Sequence, residues 1–120
     1  MKPYQDARVE GENLAKQYAE LEKADQVDFF NGSEAYYSVL GHNKKQEAIA
    51  VLIEKNDHKI YVYQLDKGIS QDKAATISRE KGVSDIDKIT FGRYQDKPIW
   101  EVKSGNHYYL VDFETGAVIQ

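Results

Sequence analysis

Asp66-Lys67-Gly68-Ile69-Ser70 lies just past the middle of the 120-residue chain, where a pattern of short strands stops and the pattern of a helix begins. Ser70 is a favoured helix N-cap, and Ile69 stands where a hydrophobic staple onto Ala74 belongs. The helix predicted from this start runs to about Lys81, with Ala74 and Ile77 on its core face and Gly82 as a left-handed stop.

The same order of elements is written on both sides of that point. Upstream, Ala7, Gly11, Leu14, Tyr18 and Leu21 recur at spacings of four, three, four and three, the stripe of an amphipathic helix. Gly11 on the stripe weakens the helix, so it is read as a point where helix backbone approaches a sheet closely. Strand-like runs follow at 26–30, 35–40, 48–53 and 59–65, separated by Asn31-Gly32, by 42–45 and by Asn56-Asp57. The run Ala48-Ile49-Ala50-Val51-Leu52-Ile53 is apolar on both faces and predicts a central strand covered on each side.

Downstream of the second helix, strands are predicted at 85–91, 99–103, 107–113 and 117–120, with turns near Gln95-Asp96, Ser104-Gly105-Asn106 and Thr115-Gly116. The expectation is therefore an α+β protein with two units, residues 1–67 and 68–120, each of order α-β-β-β-β. Units this small rarely complete a core alone, and the connection between them is too short for a free tether, so one compact body is expected.

Composition removes several classes of function. With no cysteine there is no disulfide, thiolate metal site or cysteine nucleophile. A net charge of −4 with scattered lysines argues against nucleic acid as a partner and gives no reason for docking on anionic lipid. No stretch approaches the roughly 18 apolar residues of a membrane span. The chain opens almost at a helix, which suits a domain with a targeting or anchoring segment upstream; an ordinary cytosolic start fits nearly as well.

Chemistry-bearing residues are few. His42 and His58 fall in predicted turns and His107 begins a strand, with no spacing that would gather metal ligands, so surface histidines are the better account. The serines include no Gly-x-Ser-x-Gly elbow. Asp85 with Asp87, and Glu101 with Asp112, are the carboxylate pairs that acid-base catalysis could use, though solvated surface charge is the default reading. No glycine-rich phosphate loop is present, Asn31-Gly32-Ser33 reads as a turn, and no metal or other cofactor is called for.

Three stretches carry a family resemblance: Ile69-Ser70 with Ala74-Ala75, then Pro98-Ile99-Trp100-Glu101-Val102, then Tyr109-Leu110-Val111-Asp112-Phe113-Glu114-Thr115-Gly116-Ala117-Val118-Ile119. They resemble the PepSY domain of peptidase propeptides and the YpeB family. With a diverged first copy ahead of a better second one, the whole chain resembles the extracellular part of bacterial YpmB-like proteins. The first copy departs by having Glu34-Ala35-Tyr36-Tyr37-Ser38-Val39 in place of the Pro98 stretch and by lacking the Asp-x-x-Thr-Gly turn. The resemblance implies a cystatin-like fold, a helix gripped by a curved antiparallel sheet, in each unit. It also implies an extracytoplasmic location behind an N-terminal membrane anchor, and regulation or inhibition of envelope peptidases, with no catalytic residues to carry over.

Aromatic residues supply the remaining signal. Where Tyr36-Tyr37 and Tyr108-Tyr109 occur on strands, alternation turns one ring of each pair away from the core. Contacts between the units are the plainer explanation of such rings and a ligand surface the other. The reading that results is a noncatalytic envelope module binding a protein or peptide partner, a peptidase being the specific case, with Tyr36, Tyr61, Trp100 and Tyr109 as contact candidates. The rivals are a small envelope hydrolase using a carboxylate pair between the units, and a structural spacer.

Overall fold

The computed structural model describes residues 3–32 and 34–119, and the side chains from Val9 onward. The chain divides into two units, Met1–Gln64 and Leu65–Gln120, each with one helix and one antiparallel sheet. Among the described residues no helix is long and apolar enough to cross a membrane.

In the first unit, helix α1 (Pro3–Tyr18) is followed by β1 (Leu21–Asn31), β2 (Ala35–Asn43), β3 (Ala48–Glu54) and β4 (Ile60–Gln64), in sheet order β1-β2-β3-β4. Every residue of β3 from Ile49 to Glu54 is buried, as its unbroken apolar run predicts for an inner strand. Ile49, Val51 and Ile53 join Tyr37, Val39 and Leu21 in one cluster with Ala15 and Ala19 of the helix end. Gly11 is buried as expected, and a Cβ added there would stand 3.2 Å from the Tyr37 ring.

The helix stripe needs correction. Gly11, Ala15 and Ala19, spaced by four, form the buried row, whereas Tyr18 is 61% exposed and Leu21 belongs to β1; the Ala7 side chain lies outside the described residues. Small residues face the sheet because the helix lies close to it, leaving no room for the larger ring. The opposite sheet face, with Phe30, Tyr36, Leu40, Ala50 and Leu52, is buried as well. Tyr36 and Tyr37 are consequently both buried, and the expectation that one ring turns outward fails at this pair.

In the second unit, a 3-10 turn (Leu65–Lys67) leads to α2 (Gln71–Glu80), then β5 (Lys88–Tyr94), β6 (Lys97–Ser104) and β7 (His107–Asp112), in order β5-β6-β7. Ser70 is the N-cap, its Oγ accepting from Lys73 N at 3.0 Å. At the other end Gly82 (φ 100°) completes a Schellman stop, with Gly82 N on Arg79 O at 3.0 Å and Val83 N on Ser78 O at 3.1 Å. The buried face is Ala74, Ala75 and Ser78, while Ile77 is only half-buried.

The predicted fourth strand is absent as a strand. Residues 117–119 pair with β7 through the isolated bridge Val118 to Val111 and backbone bonds at Asp112 and Leu110, and Gln120 lies outside the described residues. The Thr115-Gly116 turn returns the chain so tightly that little length remains for pairing. The second unit is thus α-β-β-β, and the fold class is α+β with antiparallel sheets.

Candidate functional site

Trp100 and Tyr36, two of the four contact candidates, are core residues with 1% and 4% exposure, which corrects that part of the expectation: a covered ring offers no area to a partner. Trp100 lies edge to face with Phe91 at 5.0 Å and near Phe113 at 6.4 Å. Its Nε1 donates to Ile69 O at 3.0 Å, while Ile69 N donates to Phe113 O at 2.8 Å. A Cβ on Gly68 would collide with the Phe113 carbonyl oxygen and ring. Ile69, just ahead of the Ser70 cap of α2, is therefore held through its C=O by β6 and through its N–H by the residue that follows β7.

Asp112 completes this arrangement. Its buried Oδ1 accepts from Glu114 N at 2.8 Å and Thr115 N at 3.1 Å, and Thr115 Oγ1 accepts from Ala117 N at 3.2 Å. Gly116 occupies the left-handed region (φ 82°), where an added Cβ would approach Ile77 Cδ1 to 3.2 Å. The stretches that carried the resemblance are thus fold-locking elements in this unit. Asp87 has a similar role, its Oδ2 accepting from Gly105 N at 2.8 Å.

Glu101 differs from these acids. It is half-buried on β6, and desolvation holds its carboxyl above the usual carboxylate range. Burial also raises Glu54 in the first unit, helped by the nearby charges and hydrogen bonds of Asp57 and Glu34. Tyr61 and Tyr109 are half-buried. The most exposed large apolar side chains are Tyr18, Val9, Tyr108, Val62 and Ile119, none of them among the four candidates. The outward ring of the second tyrosine pair is Tyr108, at 54%.

The most elaborated polar geometry is at one end of the first sheet, and the sequence reading missed it. Strand β1 carries two bulges against β2: Leu21 pairs with Asn43 but Lys23 with His42, and Ala24 pairs with Gly41 but Gln26 with Leu40. The extra residues are Glu22 and Asp25, both acidic. A bulge breaks alternation and re-aims a side chain, and here Asp25 Oδ2 meets His42 Nδ1 at 2.9 Å. A carboxylate only accepts, so the proton of this contact sits on Nδ1. The strands cross so closely that a Cβ on Gly41 would overlap the Lys23 carbonyl oxygen and come within 2.8 Å of Leu21 Cδ1.

Around this distortion Glu22, Lys23, His42, Asn43 and Gln46 line a cavity of about 330 Å³. Glu20 (φ 58°) and Gln46 (φ 66°) are left-handed without being glycine, a strain that accumulates where geometry is held for a purpose. Asn43 fixes the β2–β3 turn, its Oδ1 accepting from Lys45 N at 2.9 Å and Glu47 N at 3.0 Å, and its Nδ2 donating to Glu47 Oε1 at 2.9 Å. His42 is in β2 and not in the turn predicted for it, whereas His58 and His107 are exposed where the sequence put them. Among the described residues no group of three or more acidic or histidine side chains is arranged to hold a metal ion.

Comparison with known proteins bears on this region. The family model "Cell wall elongation regulator TseB-like domain" matches residues 10–54, the interval from α1 through β3 that contains both bulges and the cavity. The chain is 36% identical over 113 residues to the "Probable cell wall elongation regulator TseB" of Bacillus subtilis (strain 168), an alignment spanning 88% of this chain and 70% of that protein. The solved structure of the YpmB protein from Bacillus subtilis matches with a TM-score of 0.80 at 32% identity, over 100% of this chain and 97% of that one. The sequence reading placed its better resemblance in the second half; the family model falls on the first.

Proposed function

The chain belongs to the TseB-like family of cell wall elongation regulators, and on that basis we propose that it is a noncatalytic, extracytoplasmic regulatory module of the cell envelope that acts by binding a protein or peptide partner. The single observation that carries the reading is the identity to the curated regulator over most of both chains. Restraint of an envelope peptidase is the specific form proposed, and the two units are taken as tandem PepSY-like, cystatin-like copies. The chemistry of the acids supports a noncatalytic role. Asp112 Oδ1 and Asp87 Oδ2 accept from backbone N–H groups of turns, a structural use of both acids.

Crosslinking on live envelope preparations with the chain as bait, read by mass spectrometry, tests the proposal. One specific envelope protein is expected, and a peptidase among the captured proteins would give the finer form. Recovery of no protein above a scrambled-surface control would remove the binding role.

A further inference from the structure

From the bulged end of the first sheet we infer that the cavity between β1 and the β2–β3 turn is a binding site for a small zwitterion, a dipeptide with free amino and carboxyl ends or a molecule of the same chemistry. The inference is independent of the partner-binding role, since it rests on the groups this cavity presents. A protein with no use for the site would lose nothing by regular β1–β2 pairing, yet two bulges within six residues place Glu22 and Asp25 out of alternation. Only glycine at position 41 permits that crossing.

The wall is ordered and its free groups are of both charges. Asp25 holds the imidazole of His42 through Nδ1, which leaves Nε2 for a ligand. Glu22 makes no hydrogen bond or ion pair among the described residues, and Lys23 is engaged only by Asp25 at 4.0 Å, the outer limit of an ion pair. The turn built on Asn43 presents Gln46, whose carboxamide has no partner among the described residues.

A simple anion entering the cavity meets Glu22, and a simple cation meets Lys23, so neither is matched. A zwitterion satisfies both. Its ammonium pairs with Glu22, its carboxylate with Lys23, and an internal amide hydrogen-bonds to Gln46 or to His42 Nε2. A sugar would want an aromatic platform, and no phenyl, phenol or indole ring lines this wall. The volume, about 330 Å³, is at the low end of ligand cavities, which start at roughly 300 Å³, and suits two residues better than a long peptide.

The test is a titration of the ¹⁵N-labelled chain with alanyl-alanine, followed by amide chemical shifts up to about 10 mM ligand, a range that detects millimolar binding. Saturable shifts at Glu22, Lys23, His42 and Gln46 are expected, with the N-acetylated and C-amidated dipeptides each bound about tenfold more weakly. E22Q should erase the preference for a free amino end and K23Q the preference for a free carboxyl end. Both side chains are on the surface, and the same spectra report whether each variant is folded. No shift at these residues with the unmodified chain overturns the inference, as do equal shifts with the doubly blocked dipeptide.

Discussion

Ile69 shows how one residue can tie a helix to a sheet: its N–H and C=O are both bound, one by Phe113 O and the other by the Trp100 indole. Trp100→Phe keeps most of the packing against Phe91 but orphans the Ile69 carbonyl. The expected loss is about 0.5–1.5 kcal/mol, the net worth of a hydrogen bond that is only partly buried, and urea unfolding of the variant measures it; an unchanged midpoint would show that the indole bond is not structural. Glu101 gives a pH-dependent case. Because burial raises its carboxyl above 4.5, the folded chain holds that proton more tightly than the unfolded one, so stability falls as pH rises from the ordinary carboxyl range through the raised value. Glu101→Gln should therefore raise the melting temperature at neutral pH and leave it unchanged near about pH 3, where the acid is protonated in both states. A gain equal at both pH values would assign the effect to packing. The roles of Trp100 and Tyr36 were hard to read because aromatic type and strand position are the same for a core ring and a contact ring, and only burial in the folded chain separates them.

At the level of elements, helix α2 was legible from its ends, since Ser70 and Gly82 are local signals whose physics does not depend on the rest of the fold. Strand β3 was legible for a related reason, as six consecutive apolar residues suit only a position covered on both faces. The bulges of β1 were not legible. Leu21-Glu22-Lys23-Ala24-Asp25-Gln26 has too little apolar alternation to announce a strand, and its pairing is set by β2 across the sheet. The one local trace of that crossing is Gly41 inside an otherwise bulky strand, which a strand glycine often signals. Gly41→Ala should cost about 1–3 kcal/mol or more, the range for overpacking, because the clash is with the Lys23 backbone, which cannot rotate away as a side chain can. Denaturant unfolding measures the loss, and amide shifts along β1 show whether the bulges have moved. A variant as stable as the parent, with β1 unperturbed, would mean that the sheet opens there at little cost. The β5–β6 hairpin adds a contrast: Gln95 (φ 49°) and Asp96 (φ 65°) both adopt the left-handed conformation of a type I′ turn without the usual Asn-Gly, so the turn was placed by position and not by residue type.

For the molecule as a whole, the question is which unit would carry the proposed partner contact. The second unit holds the stretches on which the sequence resemblance rested, but their residues are spent on locking α2 to its sheet and on closing the Asp112 turn. The first unit holds the interval matched by the TseB-like model, and it also holds the two bulges of β1, with Glu20 and Gln46 left-handed beside them. Function tends to reside where local structure departs from regularity, and stability where it does not. Two exposed rings allow the units to be tested separately, Tyr18 in the first at 61% and Tyr108 in the second at 54%. Neither is packed in a core, so replacing either with serine should change stability by no more than about 0.5 kcal/mol, and folding does not confound the result. Partner capture in the envelope crosslinking experiment should fall at least severalfold with Y18S and stay near the parent level with Y108S. The reverse pattern would move the contact to the second unit and leave the first as the bearer of the small-ligand site alone.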